Sequence, residues 1–158
     1  MADACPEYSI RPATLADIEP LVALRSSLMR DADRMIEGQV EEFEQSTRAY
    51  LRRAIPGGEF VAWIAEVGSR VVACSGLVFF DRPPYPRNLL GREAHILNMF
   101  TSPEWRGRGI GRALLDQIVQ VARDRGAKRL WLYTSDGARS LYARAGFTPK
   151  GSKMELRL

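Results

Sequence analysis

Three glycines at alternate positions, Gly107, Gly109 and Gly111, stand inside the stretch NMFTSPEWRGRGIGRALL (98–115), with Arg106, Arg108 and Arg112 interleaved. Lacking a Cβ, these glycines permit a tight turn and let a ligand approach the backbone N–H groups. The apolar periodicity that begins at Ile110 places the start of a helix at this turn. The first N–H groups of a helix have no intrahelical acceptor, and the helix dipole makes that end weakly positive. Glycine turn, free N–H groups and arginines together favour an anion, typically a phosphate or diphosphate.

The absent residues narrow the chemistry. A P-loop ends in Gly-Lys-Ser/Thr, and neither Lys nor Ser/Thr follows Gly111. The dinucleotide fingerprint is spaced G-x-G-x-x-G and opens a βαβ unit. Here the spacing is G-x-G-x-G, and the motif lies two-thirds of the way along the chain.

The elements around this turn are readable in outline. Residues 8–11 form a strand closed by Pro12, and Thr14 with Asp17 resembles a capping box at the start of a helix running to Arg30. A second helix is expected over 40–54, stopped by Pro56-Gly57-Gly58. Strands over 60–67 and 71–80 are joined by a Gly68-Ser69 turn. A proline-bearing loop over 81–92 leads to a strand over 93–101, which delivers the chain to the glycine turn. The following helix stripes Ile110, Leu114, Ile118 and Val121, with Gly126 as its stop. A strand over 129–133, a short helix over 138–145 and two final strands reaching Leu158 complete the chain. This alternation indicates an α/β layered domain with a mixed sheet.

The length of 158 residues fits a single domain spanning 1–158. The net charge of +4 is modest, and no long basic run or basic-aromatic stripe argues for nucleic acid. Two cysteines, Cys5 and Cys74, do not make a disulfide framework. With no signal peptide and no long apolar span, the expectation is a soluble, cytoplasmic protein with no membrane partner.

Read from Arg106 as R-x-x-G-x-G, the turn resembles the acyl-coenzyme A diphosphate loop of the GNAT superfamily of N-acetyltransferases. A second stretch, SDGARSLYARAGF (135–147), is similar to that family's closing segment, in which a helix tyrosine precedes a Gly-Phe turn. Tyr142, Gly146 and Phe147 carry that match. One departure is Ser135, at a position where many members have asparagine near the pantetheine arm, and a hydroxyl replaces only part of an amide's hydrogen bonding.

The resemblance implies a single GNAT-like domain, with helices on both faces of a mixed, mostly antiparallel sheet that splays between two central parallel strands, 93–101 and 129–133. It implies acetyl-CoA as co-substrate and no metal. Cofactor contacts would come from Met99, Phe100 and Thr101, from Arg106, Gly107, Arg108, Gly109, Ile110, Gly111 and Arg112, and from Ser135 and Tyr142. The implied reaction is direct attack of a small primary amine on the thioester in a ternary complex, with a strand N–H stabilising the oxyanion. Tyr142 would protonate the departing thiolate. His95, the chain's one histidine, stands where some relatives carry a catalytic glutamate, and an ordinary imidazole pKa of about 6.5 suits a base. Glu93 is the other candidate base, acting through a water, and a packed, structural His95 is equally compatible with the sequence.

Two alternatives keep the fold: a non-catalytic acyl-CoA sensor, and an enzyme using a longer acyl donor. Dimers are common among relatives. The acceptor is not named by the residues. Six acids between Asp31 and Glu44 form either a solvated helix face or a lining that favours cationic amines.

Overall fold

The computed structural model describes residues 7–151 and 154–157. Cys5 and the last residue, Leu158, lie outside them. The chain begins with β1 (Ser9–Pro12), followed by a 3-10 turn at Leu15–Asp17, α1 (Ile18–Asp31) and α2 (Val40–Gly57). Next come β2 (Phe60–Val67), β3 (Arg70–Asp81) and β4 (Arg92–Thr101). A 3-10 turn at Pro103–Trp105 leads into α3 (Ile110–Asp124), then β5 (Arg129–Trp131) and α4 (Arg139–Arg144). The five strands form one sheet in the order β1-β2-β3-β4-β5, antiparallel except for the parallel pair β4–β5.

Helices cover both faces. Ile18, Leu21, Val22 and Leu24 of α1 and Leu51 and Ala54 of α2 pack on Phe60, Ala62, Ile64, Cys74 and Phe100. On the other face, Ile110, Leu114, Leu115 and Ile118 of α3 pack on Ala65, Val72, Leu77, Ala94 and Ile96. The apolar stripe read from the sequence of α3 is its buried face: Ile110, Leu114 and Ile118 are each 1% exposed or less. The entry to α1 is a true capping box, because the Thr14 hydroxyl accepts from a turn N–H while Asp17 accepts from the Thr14 N–H at 2.8 Å. Asp17 is also clamped by both terminal nitrogens of Arg11, each at 2.8 Å, which ties the helix entry to β1.

Four features differ from the sequence expectation. α2 runs through Pro56 and Gly57 and stops at Gly58, whose left-handed φ of 71° supplies the break. Proline near a helix end forfeits one hydrogen bond without needing to end the helix. β5 ends at Trp131, not Tyr133, and holds only three pairs with β4. The two final strands are not found: residues 148–151 and 154–157 carry no strand, so β5 is an edge among the described residues rather than a central strand. β4 also carries an unexpected bulge. Between the pairs Cys74↔Phe100 and Gly76↔Leu97 it has one residue more than β3, and Asn98 absorbs the extra turn at φ 57°. No helix among the described residues is long and apolar enough to cross a membrane.

Candidate active site

β4 and β5 pair only through Glu93↔Arg129, Ala94↔Leu130 and His95↔Trp131. β4 continues to Thr101, so beyond His95 the two strands part. Past that point β4, including Met99, Phe100 and Thr101, stays beside β3 on one edge, while its other edge borders the opening rather than a strand. The bulge at Asn98 turns the strand within this same stretch.

The glycine turn stands at the end of β4. Gly107 and Gly109 adopt left-handed φ values of 76° and 81°, and Gly109 is the N-cap of α3. A Cβ at Gly107 would meet no atom within 4 Å, so the turn is open above its backbone. The Ala113 N–H bonds the Gly109 carbonyl at 3.0 Å, and the N–H groups of Ile110, Gly111 and Arg112 precede it without helical acceptors. The arginines of the motif divide their work. Arg106 directs its guanidinium to Asp31 at 2.6 Å and to the Thr101 carbonyl at 2.9 Å, joining α1 to the end of β4. Arg108 lies over Trp105, 4.6 Å from the ring centroid, and Arg112 pairs with Asp116 at 2.9 Å.

The acid and base candidates lie on opposite faces of the sheet. Tyr142 is 7% exposed among Leu77, Ala94, Ile96 and Leu115, on the α3 face, with Phe147 edge-on at 5.8 Å. Burial raises its phenol pKa, which keeps the hydroxyl protonated. His95 and Glu93 alternate with Ala94 and Ile96 and therefore point to the α1/α2 face. The gap between β4 and β5 is where the two faces communicate. His95 stacks on Trp131 and meets Tyr133 edge-on at 5.7 Å. Glu93 is buried: its Oε1 accepts from the Tyr85 hydroxyl at 2.8 Å and faces Arg82 at 3.4 Å and Arg129 at 3.6 Å. Its Oε2 has no hydrogen-bond partner among the described residues. Ser135 is exposed at the start of the 3-10 turn before α4.

Sequence reasoning missed the bulge at Asn98 and the half-buried Arg25 that donates to its Oδ1. Both left a trace. Asparagine tolerates a left-handed backbone better than other residues of a strand. Arg25 follows Leu21 by four positions and precedes Leu28 by three, which sets it on the buried stripe of α1. The acids of 31–44 are partly committed within the fold: Asp31 to Arg106, and Glu44 to the Ser26 hydroxyl at 2.8 Å. A cleft of about 360 Å³ lies beside Asp31, lined also by Ser27, Phe100 and Ser102 among others.

Comparison with known proteins agrees with the fold. A predicted acetyltransferase from Clostridium acetobutylicum, solved with acetyl-CoA, is 29% identical, with a TM-score of 0.88 over 96% of each chain. Glucosamine 6-phosphate N-acetyltransferase 1 of Oryza sativa subsp. japonica is 28% identical over 94% of this chain and 86% of its own. N-acetyltransferase 8B of Rattus norvegicus is 35% identical over 56% of this chain and 40% of its own length. The chain thus spans under half the length of that rat relative. The family model described as "Acetyltransferase (GNAT) family" matches residues 23–147, and the chain belongs to that family.

Proposed function

We propose that the protein is an N-acetyltransferase that moves an acetyl group from acetyl-CoA to a small primary amine in a ternary complex. The observation that carries this reading is the parallel β4–β5 pair that opens after three residue pairs, directly before a glycine turn at the start of α3. The C. acetobutylicum relative with acetyl-CoA supports the choice of donor. A cytoplasmic location and a homodimer belong to the same proposal.

The residues present fit acetyl-CoA. The unpaired N–H groups at the start of α3 and the open backbone of Gly107 suit its diphosphate, and the freed edge of β4 suits an extended arm bearing amides. When bound, acetyl-CoA supplies an activated acetyl thioester. The chain's own residues then have three tasks. β4 orients the reacting groups, which lowers the entropic part of the barrier. Tyr142 holds a proton at its hydroxyl on the α3 face, ready for a thiolate. His95, or Glu93 through a water, accepts the proton of the incoming ammonium on the α1/α2 face.

The test is release of free CoA in the presence of an amine panel, paired with mass spectrometry of the acceptor. Stoichiometric CoA and acetylated amine are expected. Tight acetyl-CoA binding without turnover on any amine would convert the reading to a sensor domain. Faster turnover with a longer acyl-CoA would reassign the donor.

A further inference from the structure

Arg25 is a cation placed at the acceptor side of the sheet with no counter-charge. It sits in the middle of α1, half-buried against β4, where it donates to Oδ1 of Asn98 at the bulge. The Phe43 ring of α2 lies 5.7 Å from its guanidinium carbon. No carboxylate pairs with it among the described residues, whereas Arg11, Arg48, Arg82, Arg92, Arg106 and others each face one. Desolvation without an opposing carboxylate pulls its pKa below the ordinary arginine value.

A half-desolvated guanidinium with one acceptor out of five possible N–H donors is costly unless an anion completes it. The nearby acids do not do so, since Asp31 is held by Arg106 and Glu44 accepts from Ser26. Asn98 lies three residues beyond His95, roughly 10 Å along the strand. Arg25 therefore stands over β4 beyond its last pair with β5, on the face to which His95 points.

We propose that Arg25 anchors the acceptor by its carboxylate, so that the substrates are amine-bearing monoacids of amino-acid type rather than polycations. A single planar cation matches a single carboxylate in the bidentate manner that guanidinium favours. The proposal deepens the acetyltransferase reading and rests on it for the position of the amine.

The experiment compares free amino acids with their C-terminal amides, and with spermidine, as acceptors for the wild-type protein, Arg25→Gln and Arg25→Lys. In parallel, N-acetyl amino acids and their amides are titrated calorimetrically into CoA-loaded protein. A charge-assisted hydrogen bond of this kind predicts a preference of roughly 10- to 100-fold for acid over amide in the wild type. That preference should vanish in Arg25→Gln and shrink in Arg25→Lys, with the amides unaffected. Equal use of acids and amides by the wild type overturns the proposal whether or not the variants fold, as does a loss in Arg25→Gln that is the same for both. Absence of turnover with acid-selective binding that Arg25→Gln removes would keep the anchor and remove the acetyltransferase reading instead.

Discussion

The imidazole of His95 lies flat on the indole of Trp131, with ring centroids 4.0 Å apart and planes 8° from parallel. The two residues are also the last register pair before β4 and β5 separate. The stack therefore closes the paired part of the sheet and fixes the imidazole plane at the mouth of the opening. If that imidazole takes the ammonium proton, His95→Phe should keep an aromatic stack and lose the base. We expect folding and acetyl-CoA binding to survive while kcat/KM falls by about 10²–10⁴-fold. A His95→Phe protein with wild-type turnover at every pH would move the role to Glu93 or to a water chain.

Tyr142 gives a separate readout. No hydrogen bond to its hydroxyl is found among the described residues, and burial raises its pKa. Tyr142→Phe should therefore leave thermal stability nearly unchanged while kcat falls by about 10²–10⁴-fold. Because the phenol's folded-state pKa is raised, its proton stays in place below the ordinary tyrosine value near 10 and is lost only as pH climbs beyond it. The wild-type rate should consequently show no loss from this group up to that pH. An unchanged kcat, measured where chemistry limits the rate, would assign thiolate protonation to solvent.

The parts of this site that sequence made legible are those built from neighbours along the chain. The glycine turn is one: the alternation of Gly107, Gly109 and Gly111 with arginines lies within a single loop, and the helix start follows from the periodicity after Ile110. The capping box at Thr14 and Asp17 is another. What stayed hidden depends on partners distant in sequence. Arg106 reads as a phosphate ligand, yet its guanidinium is turned toward Asp31, 75 residues away. Glu93 reads as a strand residue able to act as a base through a water, yet Tyr85 from the proline-bearing loop and Arg129 from β5 converge on it. The shortening of β5 has the same origin, because nothing in Leu132 or Tyr133 records that the pairing with β4 ends at His95 and Trp131.

The glycine turn makes a quantitative prediction. Acetyl-CoA at about 100 times its dissociation constant should stabilise the fold by roughly 2.7 kcal/mol. At φ 81°, Gly109 cannot be replaced by valine without strain, at roughly 1–2 kcal/mol for an ordinary L-residue in that region. A Cβ there would stand 3.8 Å from the Tyr8 hydroxyl, and relief of the strain would shift the N-cap that aims the first N–H groups of α3. Gly109→Val should thus melt somewhat lower and lose the ligand-induced shift altogether. A variant that folds and keeps the full shift would show that the diphosphate binds elsewhere.

The clamp on the entry to α1 predicts a pH dependence of stability. Asp17 is 5% exposed and lies between the Thr14 N–H and the Arg11 guanidinium, which also grips Glu66 at 2.7 Å. The hydrogen bonds from Arg11, reinforced by Thr14 and opposed by desolvation, hold the Asp17 pKa below the ordinary carboxylate value of 3.8. A carboxyl whose folded-state pKa is depressed contributes stability above its unfolded pKa and loses it as pH falls through the folded one. Asp17→Asn should therefore cost about 1.5–3 kcal/mol at pH 7, the range for hydrogen bonds to charged groups. In urea unfolding the gap between wild type and variant should narrow below about pH 4, where the wild-type carboxyl itself takes up a proton. A gap that is the same at pH 7 and pH 3 would mean that the side chain's shape, and not its charge on Arg11, holds α1 to the sheet.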